Sequence, residues 1–310
     1  MRSTFLSAVL GLVLITSGCG SQDPTSPPGG PAPAKQISVV TTTTVLQDLV
    51  VNIGGGLVDI VNVIPPNVDA HAYEPSAADL AAIAKAQVLI RNGAGFERWF
   101  ERTVKTAETS AAVIDASEGV TLRRTGAEVD PHIWHSPIFA KKMTANISRA
   151  LQEADPANAA EYAGNERAYQ AQLDSLNRET QLSIDSLNNK KFVSNHEAFA
   201  HYFEQFGLEP VGSVLPNFDN KTELPAPDLQ QLIDRIKQLQ VKAIFTDAAV
   251  PPKTAEAVVR EANVKIVTGD GSLFGEAGLY GDGLSVPGGV ADTYIKMIRH
   301  NTNVIVTNLM

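Results

Sequence analysis

From Gln36 onward, short β-branched runs alternate with segments of helical periodicity. Ile37–Thr43, Asp59–Ile64, Val88–Arg91 and Ala112–Asp115 read as strands, and Val45–Ile53, Ser76–Lys85 and Phe96–Ala107 as the helices between them. Ser76 and Asp79 have the spacing of a capping box. Ser136-Pro137, a cap residue before a first-turn proline, opens another helix. Strands that alternate with helices predict a parallel sheet covered on both faces.

The middle of the chain changes character. Pro156 to about Asn189 is polar and has no internal glycine or proline except Gly164. Tyr162, Tyr169, Leu173, Leu176, Leu182 and Leu187 recur at near-helical spacing. This predicts one helix on the order of 50 Å long at ~1.5 Å per residue; the alternative is two helices broken near Gly164 or Ser183. Beyond it Lys191–Ser194, Pro210–Leu215, Ala243–Thr246 and Lys265–Thr268 read as strands, with helices starting near Glu197, Ala226, Pro252 and Val290. The expected class is α/β: two parallel-sheet lobes, residues 36–155 and 191–310, joined by one long rigid helix over 156–190.

The N-terminus changes the picture. Arg2, the apolar run Phe5–Ile15 and Thr16-Ser17-Gly18-Cys19 form a charged region, a hydrophobic region and a small-residue cleavage point. The run is shorter than the ~20 residues a membrane span needs. Cys19 is the single cysteine, so no internal disulfide can form. Its place at the end of an export signal resembles a bacterial lipobox, although Thr16 stands where such boxes usually carry Leu. Residues 1–18 are therefore expected to be a signal peptide and Cys19 a lipidated anchor; a plain secretory signal is the alternative. Gly20–Ala34, rich in Gly, Pro and Ser, reads as a tether within 19–35. The expected location is the outer face of the bacterial cell membrane. A net charge of −9 over 310 residues argues against a nucleic-acid partner.

Ligands of parallel α/β sheets bind outside the carboxyl ends of strands. The loops to inspect thus follow Ile64, Asp115, Ser194 and Thr268. Four of the six histidines fall in them: His71, His132, His135 and His196. Imidazole with a carboxylate is a natural ligand set for zinc and its neighbours. No HExxH or CxxC spacing is present, so the residues alone leave a metal site and ordinary loop histidines equally open.

Several segments closely resemble the metal-binding solute-binding proteins of bacterial ABC importers for zinc and manganese. They are Asp69-Ala70-His71-Ala72-Tyr73-Glu74-Pro75-Ser76, Asp130-Pro131-His132-Ile133-Trp134, Asn195-His196-Glu197-Ala198-Phe199, Leu279-Tyr280-Gly281-Asp282-Gly283-Leu284-Ser285 and Ala291-Asp292-Thr293-Tyr294. The resemblance runs from about Gln36 to the end, in the family's order. It implies two α/β lobes joined by a rigid helix, with a metal site in the cleft. The ligands it implies are His71, His132, His196 and Asp282, with Asp270 as the second choice for the carboxylate. It also implies a monomer that captures Zn2+, or alternatively Mn2+, and delivers it to a membrane permease with its ATPase. Two departures stand out: Ala70 where the family usually has Pro, and no His-rich insertion between Ser117 and Val129.

The remaining residues have blander readings. His135 is expected near the surface at the helix cap, His201 in a structural role and His300 exposed. Trp134 and Tyr73 are expected to pack around the site, and Asp69 and Glu74 to accept from free ring nitrogens of the ligands. Four ligands leave no open position for water, and no base motif is present, so a zinc hydrolase is the weaker reading. Aromatic content of 6% argues against a pocket for an organic solute. An adhesin role has no test in the sequence.

Overall fold

A computed structural model describes residues 36–310 apart from 127, 219–222 and 269–277. Cys19 and Asp270 therefore lie outside the described residues. The first lobe runs β1 (Ile37–Thr41), α1 (Thr44–Gly54), β2 (Val58–Asn62), α2 (Ala77–Lys85), β3 (Val88–Arg91), α3 (Phe100–Ala107) and β4 (Ala112–Asp115). A short antiparallel hairpin follows, β5 (Arg124–Thr125) with β6 (Glu128–Val129), then α4 (Pro137–Ala154) and α5 (Ala159–Asp185). The second lobe runs β7 (Lys191–His196), α6 (Ala200–Phe206), β8 (Glu209–Leu215), α7 (Ala226–Gln238), β9 (Ala243–Phe245), α8 (Lys253–Ala262), β10 (Lys265–Val267) and α9 (Tyr294–Leu309).

Each lobe holds a four-stranded parallel sheet, in the orders β2-β1-β3-β4 and β10-β9-β7-β8. Read from opposite edges, the two orders are the same. In each the chain adds one strand on one side and then crosses to the other, so β1 and β7 sit at the switch points. Crevices open there, outside the carboxyl ends.

Local chemistry explains where elements begin. β1 stops two residues short of the expected Thr43 because Thr43 caps α1, its hydroxyl accepting the Leu46 N–H at 3.2 Å. Ser76 and Asp79 do form the capping box of α2. α3 starts at Phe100, not Phe96. Gly93, Ala94 and Gly95 all have positive φ, and the buried Glu97 carboxylate takes the N–H groups of Asn92 (2.7 Å) and Gly93 (3.1 Å). The chain there is tied into a loop before it can wind. α9 begins at Tyr294, four residues beyond Val290, because Thr293 is its cap.

The middle segment is one α-helix through Gly164 and Ser183. At 27 residues it is about 40 Å long. Its buried stripe is Tyr162, Tyr169, Leu173, Leu176, Thr180 and Ile184. Leu182, expected on that stripe, is 74% exposed: two residues from both Thr180 and Ile184, it is carried to the opposite face. α5 packs against α1 and α4 on one side and α9 on another.

The second sheet shows the period of two plainly. Phe192 and Phe245 stack at 4.7 Å on one face, within the core shared with the first lobe. Val193 and Ile244 point the other way, into a separate core under α7 and α8.

Gly164 tests the continuity of α5. It has room for a Cβ, with Arg167 Nη2 the nearest side-chain atom at 4.0 Å. Gly164→Ala should therefore stabilise the protein by ~0.5–1 kcal/mol and raise Tm by about 1–4 °C. Calorimetry showing a lower Tm would mean the helix breaks there.

Candidate metal centre

Each candidate donor is fixed by a local device. His71 lies in the loop after β2, its backbone N–H held by Asp69 Oδ1 at 2.9 Å. His132 follows the hairpin, and Asp130 Oδ1 accepts both its backbone N–H (3.0 Å) and its ring Nδ1–H (2.9 Å). That bond fixes the ring's orientation and leaves Nε2 facing the cleft. His196 is the last residue of β7, at the switch point. Asp282 arrives on the segment after Leu279, which pairs in parallel with Asp247 beyond β9. Asn301 of α9 clamps Tyr280, accepting its N–H at 2.9 Å and donating to its carbonyl at 2.8 Å.

The four side chains converge. One ligand atom from each of His71, His132, His196 and Asp282 lies within 4.8 Å of all the others. His71 Nε2 is 3.2 Å from His132 Nε2 and 3.5 Å from Asp282 Oδ2. His132 Nε2 and His196 Nε2 stand 3.3 and 3.2 Å from Asp282 Oδ1. Four donors on a tetrahedron with bonds of ~2.0–2.1 Å would be about 3.3–3.4 Å apart. These four separations, 3.2–3.5 Å, lie close to that edge.

The surroundings are largely buried, with aromatic rings against the imidazoles. His132, His196 and Asp282 are buried, while His71 is half-buried and opens onto two surface pockets, one toward Arg98 and Glu128, the other toward Glu74 and Arg102. The Phe96 ring meets His71 edge-on at 4.8 Å, and Trp134 meets His132 at 5.3 Å.

Burial opposes charge on His132, but hydrogen bonds to Asp130 and Asp282 outweigh it and push its pKa up to about 9. Burial also opposes charge on Asp282, yet the facing His196 and His71 charges and bonds from His132 and His196 hold it well below the usual carboxylate range. Burial pushes His196 down. Asp247, buried and then repelled by Asp282, is pushed up to about 8. Two neighbouring carboxylates are thus driven apart, Asp282 downward by the histidines and Asp247 upward by burial and by Asp282.

The structure brings together the four residues named from sequence and corrects several of the rest. His135 is not at the surface: it is fully buried and its Nε2–H donates to the Gly281 carbonyl at 2.9 Å. Burial, and then the His132 charge, push its pKa down to about 3, so it is neutral. His300 is half-buried and donates to the Gly278 carbonyl at 2.9 Å. His201 is buried beside Asp130, as a structural role requires. Trp134 does pack on the site, but Tyr73 turns away to Asp79 and Trp99. Asp69 serves a backbone N–H and Glu74 pairs with Arg102, so neither serves a ligand ring. Asp130 does, and its two-residue offset from His132 was the available signal. Asp247 was missed because the loop after β9 carries no histidine.

Three imidazoles and one carboxylate gathered between two α/β lobes suit a protein that holds a cation. The sequence model of the family described as zinc-uptake complex component A, periplasmic, matches residues 39–308, and the chain belongs to that family. It is a metal-binding solute-binding protein of an ABC importer. The chain is 29% identical to the manganese-binding lipoprotein MntA of Bacillus subtilis, covering 98% of each chain. It is 29% identical to the iron-binding protein YfeA of Yersinia pestis, covering 88% of this chain and 86% of the relative. The solved structure of the periplasmic zinc-binding protein TroA of Treponema pallidum superposes with a TM-score of 0.80 at 27% identity, over 88% of this chain and 99% of that one.

A cation held by His132 Nε2 must displace the proton that the raised pKa keeps there below about pH 9. Apparent zinc affinity should therefore climb about tenfold per pH unit from ~7 to ~9 and then level off. Titrations in buffers of different ionisation enthalpy should show about one proton released at pH 7. A flat profile over that range would contradict this. Asp130→Ala should weaken zinc binding ~10–100-fold, because the ring loses its acceptor.

Proposed function

We propose that His71, His132, His196 and Asp282 bind one divalent ion, that the ion is zinc, and that the protein hands it to a membrane permease driven by its ATPase. The convergence of three imidazole nitrogens and one carboxylate oxygen within 4.8 Å carries this reading. Three nitrogen donors and one oxygen form a softer set than two and two, which favours zinc over manganese on ligand preference. The four separations of 3.2–3.5 Å suit the compact shell of four-coordinate zinc. Manganese is the second reading, supported by the match to a manganese-binding lipoprotein over nearly the whole chain. Ligand order alone gives zinc the higher affinity at almost any such site, so affinity must be compared and not merely detected.

Residues 1–18 act in this reading as the export signal and Cys19 as the lipid attachment point, with 19–35 as a tether. Among the described residues, no helix is long and apolar enough to cross a membrane. A single acyl chain binds membranes only marginally, so stable anchoring requires two or more on Cys19. The protein acts as a monomer.

Metal analysis of protein purified without added metal should find one equivalent of zinc. Competition should then show zinc displacing manganese at stoichiometric concentration. Alanine at any of the four residues should abolish the tight site. Two equivalent tight sites, or an Asp282→Ala variant that binds as the parent does, would contradict the assignment. Cys19→Ser should release the protein to the soluble fraction with its zinc affinity unchanged; a variant that stays with the membrane would refute the anchor.

A further inference from the structure

His135 contacts the residue before Asp282 and the Phe199 ring just after His196, and it lies outside the group of four donors. It sits three residues after His132, in the turn that leads into α4. Its Nε2–H donates to the carbonyl of Gly281, the residue before Asp282, at 2.9 Å. Its ring lies 4.6 Å from Phe199, three residues after His196, tilted by 39°. The same Gly281 carbonyl accepts the Trp134 indole N–H at 2.8 Å. Two donors from the first lobe thus grip one carbonyl of the segment that carries Asp282.

The opposite side of Gly281 is equally occupied. A Cβ there would fall 2.0 Å from Asp247 Oδ2 and 3.3 Å from Ala198. The backbone at 281 is therefore flanked closely by Asp247 and bonded at its carbonyl by the Trp134–His135 pair. Leu284 N–H, two residues past the ligand, donates to Thr44 Oγ1 at 2.8 Å. Asp282 is thus tied to the first lobe before and after its own position.

Resting on the metal-centre reading above, we propose that His135 is a positioning residue that sets the distance of Asp282 and His196 from His132, and through that distance the selectivity for a small four-coordinate cation. The argument is one of cavity size. Selectivity among divalent ions follows the number, spacing and flexibility of the donors. Separations of 3.2–3.5 Å between Asp282 and the imidazoles facing it suit zinc. Manganese favours larger, oxygen-rich shells of higher coordination number, which a donor set free to spread can approach. Removing the His135 clamp lets the 281–282 segment move outward. Zinc then loses more than manganese.

The test uses the full-length mature protein and two substitutions. His135→Phe keeps a ring against Phe199 and removes the donor to Gly281. His135→Gln keeps a donor and removes the ring. Zinc and manganese affinities and zinc release rates are measured for each, with circular dichroism and Tm to confirm folding. His135→Phe is expected to release zinc at least ~10-fold faster, the low end for losing a group that orients a ligand. Its manganese affinity should change by less, so the zinc-to-manganese ratio falls, and His135→Gln should recover part of it. An unchanged ratio in both variants, or equal loss of both metals, overturns the proposal, the latter assigning His135 to packing alone. His132→Ala separates the two levels of the argument. If it and the parent bind zinc alike, the metal-centre reading itself fails; if only His135→Phe matches the parent, that reading stands and the positioning role falls.

Discussion

Asp282 carries a negative charge into a buried position, and the ends of both sheets are arranged around that charge. An isolated carboxylate there would cost several kcal/mol in lost hydration. Three imidazoles face it, two of them with Nε2 within 3.3 Å of one oxygen. The neighbouring Asp247 is pushed upward instead. Asp130 and Asp282 together raise the pKa of His132 and so favour positive charge beside the carboxylate, a role a bound cation would take over. The attraction between Asp282 and the histidines around it is the one a metal ion would exploit.

That balance requires four side chains from four separate loops, and the parallel sheets supply them. Each sheet reverses its strand order beside its first strand, so both crevices open at carboxyl ends. His196 ends one of those strands, and His71 and His132 reach the cleft from loops after β2 and β4. The loop to Asp282 needs more support because it is long. It gets a parallel bridge to Asp247, the Asn301 clamp on Tyr280 and two donors on the Gly281 carbonyl. α5 and α9 pack against each other, and the Tyr294 hydroxyl donates to the Trp134 carbonyl at 2.7 Å, joining α9 to the site wall.

Much of this was legible in the sequence. Strands such as Val88–Arg91 and Ala112–Asp115 fall where β-branched runs place them. Ser76 and Ser136 mark helix starts through their hydroxyls. The four histidine and aspartate donors were named through a resemblance, since spacing alone left them undecided. What escaped was what depends on three dimensions. Glu97 reads as a helix residue and acts as a loop tie. Leu182 reads as apolar and therefore buried, whereas Thr180 takes the inward position. His135 has the polarity of a surface cap, yet tertiary packing places a carbonyl against its Nε2 and a phenyl ring against its face. Asp247 gives no local signal, because its importance comes from a neighbour 35 positions away in sequence, Asp282.

The central claim is that three imidazoles and one carboxylate form the first coordination shell of a single ion. X-ray absorption spectroscopy of the zinc-loaded protein reads that shell directly. The account predicts a four-coordinate spectrum with zinc–ligand distances of ~2.0–2.1 Å and outer-sphere scattering from about three imidazole rings. A shell of mostly oxygen donors, or scattering from one ring or none, would contradict it.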